Sequence, residues 1–241
     1  MNFVSTERVW TALLADADFQ VVDGLPKKDI LIIAPHPDDE IFACSGALLK
    51  ASENQKIKIV YIFSGDRKSH SPLAIEREEE SKKAVALLAG PNQVFFRLSN
   101  NSLVPESKIS ELANIIVKFN PGIIMMPRFF SMNSDHVEAA KAAIESLKVA
   151  KINGFDLKKI SIWLYGIWSP LSHFNRLLEF DWSKKEKAME KFLSQHKDRN
   201  YIKAIKSLDE YYGEIYGLAK PAEAFFALPA DLLLKVSKEK K

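Results

Sequence analysis

Residues 29–40 read Asp29-Ile30-Leu31-Ile32-Ile33-Ala34-Pro35-His36-Pro37-Asp38-Asp39-Glu40, an apolar run of strand length that stops at a proline-flanked imidazole and three consecutive carboxylates. Similar apolar runs recur at Ile57–Phe63, Gln93–Phe96, Gly122–Met126 and Ile160–Tyr165. Between them, Ile41–Ser52, Pro72–Leu88, Glu106–Phe119 and Ser134–Leu147 space their apolar residues three and four apart, the period of an amphipathic helix. Strand and helix alternate. That order predicts an α/β fold, a Rossmann-like three-layer sandwich whose mostly parallel sheet carries helices on both faces. Ligands in such folds bind beyond the carboxyl ends of the strands, which is where the His36–Glu40 cluster falls.

After the run near Ile160 the pattern changes: Ser183–Gln195 and Asp198–Tyr216 are charged, helix-forming and sparsely aromatic. They predict a helical C-terminal part, about residues 183–241, packed on the sheet. No repeat and no Ser/Gly-rich linker divides the 241 residues, so a single domain over 1–241 is expected. The ending, KVSKEKK, reads as a solvated basic terminus.

Composition excludes several classes. With 47% hydrophobic and 27% charged residues the chain is neither disordered nor fibrous. Thirty-four Lys and Arg against 31 Asp and Glu leave +3, too weak a field to predict a nucleic-acid partner. Its nine glycines form neither a G-x-G-x-x-G turn after a strand nor a Walker loop, so no phosphate cradle is expected. The opening stretch, MNFVSTERVWTALLADADFQ, lacks the basic start and long apolar run of a leader, and no run is long enough to span a bilayer. A cytoplasmic protein in a reducing compartment is expected, with oligomeric state left open. The single cysteine, Cys44, can complete neither a disulfide nor a thiolate zinc site, so a metal here must rely on His and carboxylates.

Three adjacent acids at a strand end cannot all be buried and ionised without a compensating cation, because desolvation and mutual repulsion both oppose it. A divalent metal resolves that conflict. His36 and Asp39 are three apart and face one side if a helix starts after Pro37. The best third ligand is His136 of Asn133-Ser134-Asp135-His136, which follows the Gly122–Met126 run and opens the next helix, with Ser134 available as its cap. Two His and one carboxylate leave a position open for water, the pattern of a hydrolytic zinc site, with Asp38 as general base. Each motif alone is as well explained by a solvated helix start or a packed histidine. Their joint placement after two apolar strands favours the metal. His70, between two serines, reads as a loop residue that could line a cleft; His173 and His196 read as surface positions. Tyr165–Pro170 could form an apolar or sugar-stacking wall or belong to the core.

Ala34-Pro35-His36-Pro37-Asp38-Asp39-Glu40, followed by Ser45-Gly46 and an apolar helix, resembles the signature of the LmbE-like or PIG-L deacetylase family. Phe63-Ser64-Gly65-Asp66, Arg77 with Glu80, Ser134-Asp135-His136, Ser194-Gln195 and Ala222-Glu223-Ala224-Phe225 resemble later family elements, so the likeness runs over roughly residues 28–227. It implies a metal-dependent hydrolase, usually zinc-bound though iron and other divalent metals are compatible, that removes N-acetyl groups from N-acetylglucosamine units. It implies His36, Asp39 and His136 as ligands, Asp38 as general base, Asp135 as a supporting carboxylate, and Arg77 on the sugar or its aglycone. A salt bridge from Arg77 to Glu76 or Glu80 is the competing account of that residue.

The chain departs from the family pattern twice. Asn133 stands where the family has the first His of its His-x-Asp-His element, so a neutral amide replaces a group expected to polarise the carbonyl. Either Asn133 serves, or His70 or Arg128 does. Asn100 stands where an Asp often binds sugar hydroxyls. Two functions are therefore expected to compete: an N-deacetylase acting on a small or glycoconjugate amino sugar, and a weakly active or non-catalytic metal-bound carbohydrate-binding protein. The aglycone is not legible.

Overall fold

A computed structural model of the chain describes residues 19–238 apart from 23, 52, 53, 169 and 198. The stretch read above for a leader, up to residue 18, and the last residues, 239–241, lie outside the described part. Eight strands, β1 Gln20–Val22, β2 Ile30–Ala34, β3 Ile57–Phe63, β4 Asn92–Leu98, β5 Ile123–Pro127, β6 Ser161–Tyr165, β7 Arg176–Glu179 and β8 Ala222–Pro229, form one sheet in the order β1-β7-β8-β6-β5-β2-β3-β4. All pairings are parallel except those of β8, which runs antiparallel to β6 and β7.

The helices are α1 Asp39–Lys50, α2 Pro72–Ala86, α3 Glu106–Phe119, α4 Ser134–Ile152, α5 Trp182–Met189, α6 Tyr201–Ile215 and α7 Ala230–Lys238. Every residue of β2 and β5 is buried because both faces of the sheet are covered, which is why these strands read as unbroken apolar runs rather than alternating ones. Ile30, Ile32 and Ala34 pack with α1, α2, α5 and α6, while Leu31 and Ile33 pack with α3, α4 and α7. The expected α/β three-layer sandwich is thus present. None of the described helices is long and apolar enough to cross a membrane.

Local chemistry sets the helix ends. Ser71 accepts from the Ala74 N–H ahead of Pro72, and Asn133 Oδ1 accepts from the Asp135 N–H to cap α4. At the far end of α3, Asn120 takes the left-handed conformation that stops the helix. Past residue 165 the sheet extends further than the periodicity suggests. β7 is only four residues long and gives no usable pattern, and β8, carrying the Ala222–Phe225 motif, is buried on both sides between its neighbours. The helix expected over 183–195 stops at Met189, and turns follow.

The site follows from the strand order. β2 lies between β3 and β5, so the chain leaves it in one direction through β3 and β4 and in the other through β5 and β6. The carboxyl ends of β2 and β5 meet at this reversal, in the register Ile30↔Ile123 and Ile32↔Met125, and their loops diverge to opposite layers.

Candidate active site

The loop after β2 delivers His36, Asp38 and Asp39; the loop after β5 delivers Asp135 and His136. All five are buried. Asp39 Oδ2 is the focus: His36 Nδ1 lies 3.1 Å from it, His136 Nε2 3.2 Å, and the His36 backbone N–H donates to it at 2.9 Å. One nitrogen from each ring and one Asp39 oxygen lie within 4.8 Å of one another. The other Asp39 oxygen, Oδ1, is buried and has no hydrogen-bond partner. An orphaned carboxylate oxygen beside two converging imidazole nitrogens is the donor set of a divalent cation, so His36, Asp39 and His136 could hold one.

The surrounding groups orient these ligands. His36 Nε2 lies 2.9 Å from Asp135 Oδ2, which fixes the ring and directs Nδ1 toward Asp39. Asp135 Oδ1 in turn accepts from the Asn101 backbone N–H at 2.7 Å. Asp38 has a backbone φ of 153°, a value side-chain-bearing residues rarely adopt, and its N–H donates to Glu40 Oε2 at 2.9 Å. From this turn the Asp38 carboxylate meets Arg77, whose Nη2 donates to Asp38 Oδ2 at 2.6 Å.

Charge is held under strain here. Burial raises Asp38 to about 6, opposed by the Arg77 guanidinium, and burial raises Glu40 to about 8 despite the Ser81 hydroxyl. Burial alone would depress His36, but Asp135 and Asp39 outweigh it and lift the ring to about 9. For Asp39 burial acts upward, and the His136 and His36 rings hold it well below the usual carboxylate range.

Arg77 is paired with Asp38 rather than with Glu76 or Glu80 of its own helix, and its Nη1 donates to the Gly65 carbonyl at 2.7 Å. Glu80 instead accepts from the Ser194 N–H and hydroxyl, which gives the Ser194-Gln195 motif a structural role. Gly65, at φ 82°, passes so close to Arg77 that a Cβ would lie 2.5 Å from the guanidinium carbon, so no other residue fits without moving it.

The remaining sequence candidates scatter. Asn100 Oδ1 accepts from the Gly65 N–H at 3.0 Å and ties the ends of β3 and β4 together. Asn133 uses its carbonyl as the α4 cap. Arg128 Nη1 donates to the Pro170 carbonyl at 3.1 Å, and His70 is exposed. Of the Tyr165–Pro170 wall, Tyr165 is a core residue whose hydroxyl donates to the Ile33 carbonyl at 2.8 Å, while half-buried Trp168 reaches the site and donates from Nε1 to His136 Nε2 at 3.1 Å. Ser169 lies outside the described residues. The sequence also conceals a second buried cluster, Lys185 with Asp209 and Glu223, drawn from α5, α6 and β8. No spacing rule links three residues on three separate elements.

Comparison with known proteins gives the site its relatives. The family PIG-L, described as GlcNAc-PI de-N-acetylase, matches residues 31–147. A diacetylchitobiose deacetylase of Thermococcus kodakarensis is 27% identical over 170 residues, 64% of this chain, and the match spans 62% of that relative's length. Among solved structures, an N,N'-diacetylchitobiose deacetylase from Pyrococcus horikoshii, complexed with an inhibitor, superposes with a TM-score of 0.76 over 94% of each chain at 20% identity. A 4-carboxy-2-hydroxymuconate hydratase from Pseudomonas putida shares the fold at a TM-score of 0.69 and 18% identity, covering 83% of this chain and 96% of its own, so the fold alone does not fix the reaction. The family match covers His36, Asp38, Asp39, Asp135 and His136, the residues that the strand ends of β2 and β5 bring together, so the part of the chain that resembles the PIG-L (LmbE-like) deacetylase family, residues 31–147, is the part that builds the candidate site.

Proposed function

We propose that the chain is a metal-dependent hydrolase, zinc being the favoured metal, that removes the N-acetyl group from a GlcNAc-type amino sugar in a glycoconjugate or polysaccharide pathway. The observation that carries this reading is the convergence of His36, Asp39 and His136 around an unpartnered carboxylate oxygen, with Asp38 one residue away on a separate polar anchor. A divalent ion held by those three residues would supply Lewis-acid polarisation of an amide carbonyl and a more acidic water.

The chain's own residues account for the proton movements. Arg77 fixes Asp38 Oδ2, leaving Oδ1 to take the proton of the attacking water and return it to the departing amine nitrogen. Arg77 thereby acts as a positioning residue for the base. Asp135 holds the His36 ring in place through Nε2. The exposed His70 and the Arg128 and Asn100 loops supply polar groups at the strand ends for sugar hydroxyls. The +3 net charge gives no reason to expect a nucleic-acid partner, and the free, buried Cys44 is compatible with a reducing cytoplasm.

Asn133 favours a second reading. Its carbonyl is occupied by the Asp135 N–H and the residue cannot carry positive charge, as a weakly active, metal-bound carbohydrate-binding protein would allow. Acetate release separates the two. With zinc, cobalt or iron supplied, the protein should release acetate from at least one member of a panel of N-acetylated amino sugars. Asp38→Ala should retain the metal and lose about 10²- to 10⁴-fold in rate. Metal binding and sugar binding without acetate release from any member would reject the deacetylase in favour of the binding protein.

A further inference from the structure

Three neighbouring strand ends surround the ligand cluster: β2 gives His36 and Asp39, β5 leads to His136, and β6 leads to Trp168. The Trp168 ring packs edge-on against Tyr201, with centroids 5.4 Å apart, and against His136 at 6.3 Å. Its Nε1–H points at His136 Nε2, the same nitrogen that faces Asp39 Oδ2. Among the described residues it is the side-chain N–H, outside the ligand set, that reaches a ligating atom.

That hydrogen bond and a metal ion compete for one lone pair. An imidazole nitrogen that coordinates a cation has no lone pair left for an indole N–H, and a half-buried donor needs another acceptor. If His36, Asp39 and His136 held a cation, an oxygen at its remaining position would offer that acceptor. Arg77 Nη1 and Nη2 hold Gly65, Pro37 and Asp38, while its Nε, though unpartnered, belongs to a side chain anchored on the Asp38 side and makes no contact with His136 or Asp39. Asn133 accepts the Asp135 N–H at the α4 cap through Oδ1, which holds the residue at the helix start, and its amide makes no contact with the three clustered residues.

We propose that Trp168 is a catalytic hydrogen-bond donor whose indole N–H leaves His136 when metal binds and donates to the carbonyl oxygen of the substrate amide as negative charge develops there. This rests on the N-deacetylase reading and adds a neutral donor to it. The role is electrostatic: no bond to Trp168 forms or breaks, and the donor gains strength as the oxygen becomes more negative.

The test uses the full chain and two readouts. Trp168→Phe keeps a ring against Tyr201 and removes the N–H. With zinc bound at unchanged stoichiometry, its kcat for acetate release should fall about 10²-fold while KM stays within about threefold. In ¹⁵N-indole spectra, the resonance missing from Trp168→Phe should shift when zinc is titrated into metal-depleted wild-type protein. It should shift again when acetate, the product whose oxygen occupies the same position, is added to the zinc-loaded protein. A Trp168→Phe enzyme within twofold of wild-type kcat would overturn the proposal, as would an indole resonance indifferent to acetate under conditions where acetate binds. A wild-type protein releasing no acetate from any substrate would instead reject the deacetylase reading, and the acetate-dependent shift would still decide whether Trp168 donates to a carbonyl-type oxygen.

Discussion

Two buried charged clusters grip helix α1, one at its N-terminal end and one at its middle, and they differ in whether their hydrogen bonding is complete. At the N-terminal end the His36–Asp39–His136 cluster leaves Asp39 Oδ1 without a partner. Further along, Lys185 Nζ donates to the Phe42 carbonyl, Asp209 Oδ2 and Glu223 Oε1, each at 2.8 Å, which uses all three ammonium protons. Glu223 Oε2 accepts from the Gly46 N–H at 2.9 Å, so the pair of carbonyl and amide contacts straddles the non-helical turn at Cys44. Burial and charge are common to both, so neither marks a site of chemistry by itself. Incompleteness does. One cluster leaves a carboxylate oxygen unpartnered, as the proposed metal site requires, and the other closes on itself and fixes the helix that presents Asp39.

The comparison can be broken at either end. The largest effect is expected from Asp39→Ala or His136→Ala: bound zinc, measured by elemental analysis after dialysis, should fall from one equivalent to near zero, and acetate release should disappear with it. Retained stoichiometric zinc would show that the cluster is not the metal site. Next comes Lys185→Ala, which strands two buried carboxylates and should cost about 3–5 kcal/mol in denaturant unfolding. A loss below about 1 kcal/mol would mean that the closed cluster does not hold α1 in place.

Gly46→Ala sharpens the same contrast on a smaller scale. A Cβ at Gly46 would sit 2.9 Å from both Glu223 Oε2 and the Phe180 ring, so the substitution should destabilise by about 1–3 kcal/mol. The equivalent change at solvent-open Gly90, where nothing lies within 4 Å but φ is 55°, should act through backbone strain alone, at about 1 kcal/mol. The gentlest probe is pH. Burial raises Asp209 to about 7, against the pull of Lys185, so the folded protein binds a proton there that the unfolded chain has lost. That contribution to stability is fully present below the ordinary Asp range near pH 4 and is lost as pH rises to about 7. Subtracting the stability of Asp209→Asn from that of wild type should leave a difference that declines across this window. A flat difference would show that Asp209 is ionised in the fold from the start.

The legible parts of the sequence are those where chemistry is packed into neighbouring positions. Buried strands announce themselves as runs such as Ile30–Ala34, and His36–Asp39 places two proposed ligands and a proposed base within four residues. His136 was reachable because it repeats the same grammar, a charged turn after an apolar strand. Partnerships across elements were not. Arg77 can be paired by eye with Glu76 or Glu80 on its helix, yet its partner is Asp38, 39 residues away. Lys185 looks like one more solvated lysine in Ser183-Lys184-Lys185-Glu186-Lys187, and only the packing of α5 on α1 reveals that it is buried. Strands β7 and β8 escaped for a related reason, since one is too short to show a period and the other is set by the neighbours it joins.

The pairing of β2 with β5 also imposes an order of events on synthesis. His36 and Asp135 are separated by 99 positions, and the residues of β3, α2, β4 and α3 are all synthesised before those of β5. A growing chain therefore carries His36 and Asp39 long before His136, so the proposed ligand set would be complete only once the turn after β5 is made. Tight uptake of the proposed metal would then be a late milestone, one that reports the docking of β5, and its binding free energy would add to the cohesion of the sheet's centre.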